Sequence, residues 1–178
     1  MKKIVFIALI LSFAIMSGGC AGVFGHKEYT DIGDYSKIFD LPEIRCTYAM
    51  EMFPKAVDSL DVKEFYLDWK LGVVGSADVQ LLLSVTYDDL KLQEEIYRIE
   101  ALANGNVVYD TESFECDAYV LVLGYDCTNY YVLIDGNTVH YVLLQLVAKK
   151  DIDIDRALLP KGYVDLGYVK NTSYNVYE

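Results

Sequence analysis

The chain has 178 residues, with 27 Asp and Glu against 15 Lys and Arg, a formal net charge of -12 and 53% hydrophobic residues. An acidic surface is repelled by phosphate and by anionic lipid headgroups, so nucleic-acid binding is excluded and charge alone does not hold the protein on a membrane. No proline-rich or serine-rich linker, repeat or low-complexity tract divides the sequence, whose length suits one domain with one core.

At the N-terminus, Lys2 and Lys3 precede residues 4–16, an uncharged and largely apolar stretch of 13 residues. That is short of the roughly 20 residues that cross a bilayer, and it reads as a secretory leader. Ser17, Gly18 and Gly19 then supply small side chains, and Cys20 follows at once. The run Ser17-Gly18-Gly19-Cys20 resembles the lipobox of bacterial prolipoproteins, and the rest of the chain resembles small uncharacterised lipoproteins of Gram-positive bacteria. The resemblance implies that residues 1–19 are a signal peptide, that Cys20 carries the lipid, and that residues 20–30 form a short tether to a single globular domain at 31–178.

Cleavage would leave 13 basic against 27 acidic side chains, so the acyl chains would have to supply the membrane affinity. The same residues also admit an uncleaved anchor, because residues 4–24 hold 21 consecutive uncharged positions. Gly18 and Gly19 weaken such a helix. Either reading places the remaining chain on the extracytoplasmic side of the cell membrane, since the lysines stay inside.

Residues 43–52 alternate, with Ile44, Cys46, Tyr48, Met50 and Met52 on one side, and predict a strand that Pro54 ends. Over residues 62–71, Phe65, Leu67, Trp69 and Leu71 alternate with Glu64, Tyr66, Asp68 and Lys70. A turn at 72–77 leads to a second alternation of Val79, Leu81, Leu83 and Val85, which together predict an antiparallel hairpin. Residues 88–103 switch to helical spacing, with Leu92, Ile96, Ile99 and Ala103 on one stripe. Thr86 with Asp89 resembles a capping pair, and Asn104-Gly105 supplies the stop.

A short strand follows at 107–109, then a meander at 118–125, 130–135 and 138–148 with a tight turn at Asp135-Gly136-Asn137. Both alternating faces of residues 141–148 are apolar, which places that strand centrally, covered on both sides. The order of elements predicts an α+β fold: a twisted antiparallel sheet of about six or seven strands with one amphipathic helix packed on a face.

Catalytic chemistry is not expected. The histidines are His26, in or near the tether, and His140, in a strand, and no G-x-S-x-G, S-x-x-K or H-E-x-x-H run occurs. No cofactor is implied. Beyond Cys20 stand Cys46, Cys116 and Cys127, an odd number, so at least one is unpaired or bonded to another molecule. A Cys116–Cys127 bond and small buried thiols both remain open.

Asp151, Asp153 and Asp155 are the metal candidates, because alternate carboxylates resemble the start of a calcium loop. The pattern fails at Arg156, where glycine is needed, and at Gly162, where a glutamate is needed. The alternative is a solvated strand end whose Asp155 caps a turn over 156–159. Sixteen tyrosines are the compositional oddity, and Tyr125, Tyr130 and Tyr131 gather around one expected turn. Exposed, they would form a binding surface; as good strand formers, they would fill the sheet instead. The expected function is a membrane-anchored, noncatalytic binding or interaction module with a protein partner in the envelope. The alternative is a lipoprotein that captures a small ligand, a glycan or calcium.

Overall fold

The computed structural model describes residues 25–42, 44, 47–72, 76–102, 107–125 and 128–163. Among them, seven strands form one antiparallel sheet: β1 (His26–Tyr29), β2 (Asp61–Leu71), β3 (Ala77–Thr86), β4 (Val108–Asp110), β5 (Asp117–Tyr125), β6 (Thr128–Asp135) and β7 (Thr138–Gln145). Their spatial order is β1-β2-β3-β7-β6-β5-β4. The chain builds β2 and β3 as a hairpin, sends a helix across one face, and returns from the far edge as a meander whose last strand closes on β3. This is the α+β arrangement expected from the sequence. No helix among the described residues is long and apolar enough to cross a membrane.

β7 occupies the middle of the sheet, and its two faces feed separate cores. Tyr141 and Leu143 join the first core, while Val142 and Leu144 join the second. β3 divides in the same way, with Leu81 and Leu83 on one side and Leu82 on the other, all fully buried. Each such leucine contributes about 1.5–3 kcal/mol of transfer free energy, so these two strands are the most heavily stabilised part of the fold.

The first core is closed by α2 (Asp89–Leu102), by the short α1 (Thr47–Met52) and by a 3-10 helix over Ile32–Asp40. The second is closed by irregular chain: Phe114 before β5, and Val147, Ile152, Ile154 and Tyr163 after β7.

Three expectations require correction. The alternation over 43–52 does not make a strand where it is described: Thr47–Met52 is helical, and Ala49, Met50, Met52 and Phe53 are the buried positions. Unbranched Ala, Met and Glu dominate this run and favour helix, and the helix stops at Met52, short of Phe53, which Pro54 biases away from helical geometry.

Residues 26–29, expected to belong to a tether, are part of the sheet. His26–Tyr29 is an edge strand on β2, with His26 opposite Lys70 and Tyr29 opposite Leu67. Gly25 already accepts a hydrogen bond from Leu71 N at 2.8 Å, and a Cβ there would stand 2.7 Å from the Trp69 ring, so only glycine allows this approach. The third correction is the cap of α2: Asp88 Oδ1 accepts from Lys91 N at 2.9 Å, replacing the Thr86 and Asp89 pair. Residues 103–106, where the helix stop was expected, lie outside the described residues.

Helix α2 also carries an acid that the apolar stripe concealed. Glu95 is buried beside Leu92 and Ile99, where its carboxylate accepts from the Tyr141 hydroxyl and from Arg98. Arg98 in turn donates to Glu51 O at 3.0 Å and Met52 O at 2.6 Å, the uncapped end of α1. Tyr87 completes the group at 2.9 Å from the Tyr141 oxygen, and burial pushes its phenol up to about 12. One carboxylate thus joins both helices to the central strand.

Replacing Glu95 by Ala strands the Tyr141 hydroxyl and leaves Arg98 without its counter-ion. A loss of about 2 kcal/mol is expected in urea unfolding, since hydrogen bonds to charged groups contribute about 1.5–3 kcal/mol. A midpoint within error of the wild type would show that the network is not stabilising.

Candidate functional site

Beyond β7 the backbone reverses at Leu146, a non-glycine residue at φ 58, and runs back over the second face as a strap. Residues in this left-handed region are unfavourable without glycine, so the surrounding packing must hold it. Ile152 and Ile154 supply that packing by burying against the second core. Gln80 of β3 fastens the strap from below. Its Nε2 donates to Asp151 O at 2.9 Å, and its Oε1 accepts from Asp153 N at 2.8 Å.

Between this strap and the Leu71–Ala77 end of the β2–β3 hairpin lies a cleft of about 640 Å³, lined by Asp68, Lys70, Asp78, Gln80, Leu146 and Asp151 among others. That volume falls within the range of small-molecule sites. Asp68 is nearly buried, with Lys70 Nζ donating to it at 2.5 Å and His26 Nε2 lying 2.8 Å from its other oxygen. The hydrogen bond to Asp68 raises the pKa of Lys70 above its ordinary value. Burial raises that of Asp78; Lys70 opposes the shift, while Asp151 and Asp68 add to it. The cleft therefore holds carboxylates and ammoniums over an apolar wall, an arrangement suited to orienting a polar ligand.

The three aspartates raised as metal ligands are given different work. Asp151 lines the cleft, Asp153 Oδ2 accepts from the Tyr66 hydroxyl at 3.2 Å, and Asp155 Oδ1 caps the 3-10 helix Arg156–Leu158 by accepting from Ala157 N at 2.9 Å. Among the described residues, no three His, Cys, Asp or Glu side chains come together as a metal site. The cap at Asp155 was legible in the sequence.

Nor do Tyr130 and Tyr131 form an exposed surface. Tyr130 and Tyr131 are each 1% exposed and point into opposite cores, and the Tyr131 hydroxyl donates to Leu158 O at 2.9 Å. Tyr125 ends β5 opposite Thr128. Cys116 is a free, half-buried thiol whose pKa burial raises, while Cys20, Cys46 and Cys127 lie outside the described residues.

Sequence reasoning missed one close pair. Ser84 Oγ and His140 Nδ1 stand 2.9 Å apart on neighbouring strands. Ser84 is 2% exposed and sits mid-strand, and burial lowers the pKa of His140, so this is a packed polar contact between two strands. No protein-family model, curated protein or solved structure matches this chain.

Two outcomes follow for the cleft. Gln80→Ala removes the fastening of the strap and should cost about 1–3 kcal/mol, with earlier proteolytic cutting after β7 under native conditions; unchanged cutting would separate the strap from Gln80. Asp78 has a folded-state pKa above its unfolded one, so its charge opposes folding at neutral pH and ceases to do so once acid protonates it. Asp78→Asn should therefore raise the melting temperature at pH 7 and lose that advantage near pH 3.5; an equal gain at both pH values would refute the assignment.

Proposed function

We propose that the protein is an extracytoplasmic lipoprotein, held to the cell membrane through Cys20, that acts as a noncatalytic binding module of the envelope with the strap-side cleft as its recognition surface. The observation that carries this reading is the position of β1. Gly25 and His26 are fixed beside Leu71 and Lys70, and Lys70 lines the cleft. The recognition surface thus stands at the end of the sheet where the tether joins.

Four residues separate Cys20 from the fixed backbone at Gly25, five Cα–Cα steps with a reach of at most about 18 Å at full extension. A domain so held keeps its cleft close to the lipid surface and restricts it to ligands or partners found there. The net negative charge supports a lipid anchor, because charge would drive the protein away from anionic headgroups. The mixed charges of Asp68, Lys70, Asp78 and Asp151 support binding without chemistry, since they offer orientation and no paired nucleophile and base.

Labelled palmitate should enter the wild-type chain and not Cys20→Ser, which should leave the membrane fraction; equal labelling of both would end the lipid-anchor reading. A photo-crosslinking residue at Asp78 should give a discrete adduct in intact envelopes, whereas one at Glu94, on the outer face of α2, should not. Identical adducts from both positions would remove the cleft as the recognition surface.

A further inference from the structure

A second hollow, of about 390 Å³, opens on the other side of the strap, and its lining is basic: Lys149, Arg156 and Lys161 face it with Glu115, beside Gly162 and Tyr163. In a chain with nearly twice as many acids as bases, cations ordinarily find carboxylates or aromatic rings, and elsewhere among the described residues all but Lys150 do. Lys37, Lys63, Lys70, Lys91 and Arg98 form ion pairs, and Lys27 and Lys55 lie over the rings of Trp69 and Phe39. Among the described residues, Lys149, Arg156 and Lys161 take part in no ion pair or ring contact. The Lys161 ammonium donates to the Glu112 carbonyl at 3.4 Å, and its charge also helps lower the pKa of Asp110 behind it.

The backbone bearing these cations is firmly held. The Tyr163 hydroxyl donates to Val147 O at 2.7 Å, Tyr131 fastens Leu158, and Lys161 N donates to Ser113 O at 2.7 Å. Asp155 caps the turn that carries Arg156, and Tyr163 N donates to Pro160 O at 3.0 Å to close the turn that carries Lys161, so that Lys161 and Arg156 border one space. Like charges brought together on a fixed backbone repel one another unless an anion lies between them, and a preorganised set loses little entropy on binding one.

We propose that this hollow binds a phosphate group. The lining sets three cations against one carboxylate, a positive surplus that suits a phosphate anion even with Asp110 near Lys161, and the planar fork of Arg156 suits two phosphate oxygens at once while the lysines act as point charges. The acidic remainder of the surface repels diffuse polyanions, so the ligand is a compact phosphate on a solute or on a lipid headgroup and not a nucleic acid. The site is separate from the acid-bearing cleft and does not depend on the role given to that cleft.

The full chain in phosphatidylcholine nanodiscs, with the Arg156 side-chain Nε–H signal followed by NMR, tests this directly. Inorganic phosphate at constant ionic strength should move the signal saturably, whereas chloride should not. Calorimetry on the same nanodiscs should give binding about tenfold weaker for Arg156→Gln and for Lys161→Gln, the loss of one charge-assisted contact. Lys63→Gln, on the outer part of β2, should bind as the wild type does, and melting temperatures check that all three variants are folded.

Nanodiscs containing phosphatidylglycerol separate the two sources: a shift there without added phosphate assigns the group to lipid, and its absence assigns it to a solute. A phosphate shift no larger than that of chloride, in a protein that also ignores phosphatidylglycerol, would overturn the proposal. So would wild-type affinity in both Arg156→Gln and Lys161→Gln.

Discussion

The pairing of β3 with β7 governs the rest of the structure. Leu82 and Val142 are sixty residues apart in sequence and directly opposite in the sheet, flanked by the pairs Leu81–Leu143 and Leu83–Tyr141. Both strands are apolar on both faces, so the junction must be covered above and below. A slip of one residue would exchange the contents of the two cores, and the difference in side-chain shape between Tyr141 and Val142 opposes it. Helices on one side and the strap on the other follow as the means of covering this seam.

The two covers differ in kind. On the first face, packed helices bring the buried Glu95 to Tyr141, so the seam is fastened by a charge-assisted bond as well as by apolar contact. On the second face, irregular chain lies over the sheet with few apolar side chains of its own, and its grip depends on Ile152, Ile154 and the amide of Gln80. Chain laid over a sheet without regular secondary structure leaves hollows along its margins. One margin exposes the carboxylates of the hairpin, the other the cations of the strap itself, and Lys149 and Lys150, adjacent in sequence, border opposite hollows.

Most of the sheet was legible because burial imposes period. The hairpin, α2, the meander and the central place of β7 all show as regular alternation or helical spacing in the residues that bury. β1 was not legible, since His26-Lys27-Glu28-Tyr29 sits at an exposed edge where backbone pairing sets the conformation and no apolar repeat is required. In residues 151–155 the aspartates drew attention, but the isoleucines between them fix the geometry: Ile152 and Ile154 turn inward and thereby turn the three carboxylates outward. The basic hollow left no trace in sequence order, because Lys149, Arg156 and Lys161 border one space only through the turns of the irregular chain between them.

Tyrosine, conspicuous in the composition, acts mainly as an internal fastener. Phenolic hydroxyls from Tyr35, Tyr131 and Tyr163 each reach a backbone carbonyl outside the sheet, at Pro54, Leu158 and Val147. A ring filling a core while its oxygen satisfies a distant peptide group ties a loop down at one point. Other small domains obtain such ties from cystines, whose persistence depends on the surrounding redox poise. Phenol-to-carbonyl ties have no such dependence: a reductant that would cut a cystine leaves these loops in place, and so leaves the strap and its two flanking hollows intact.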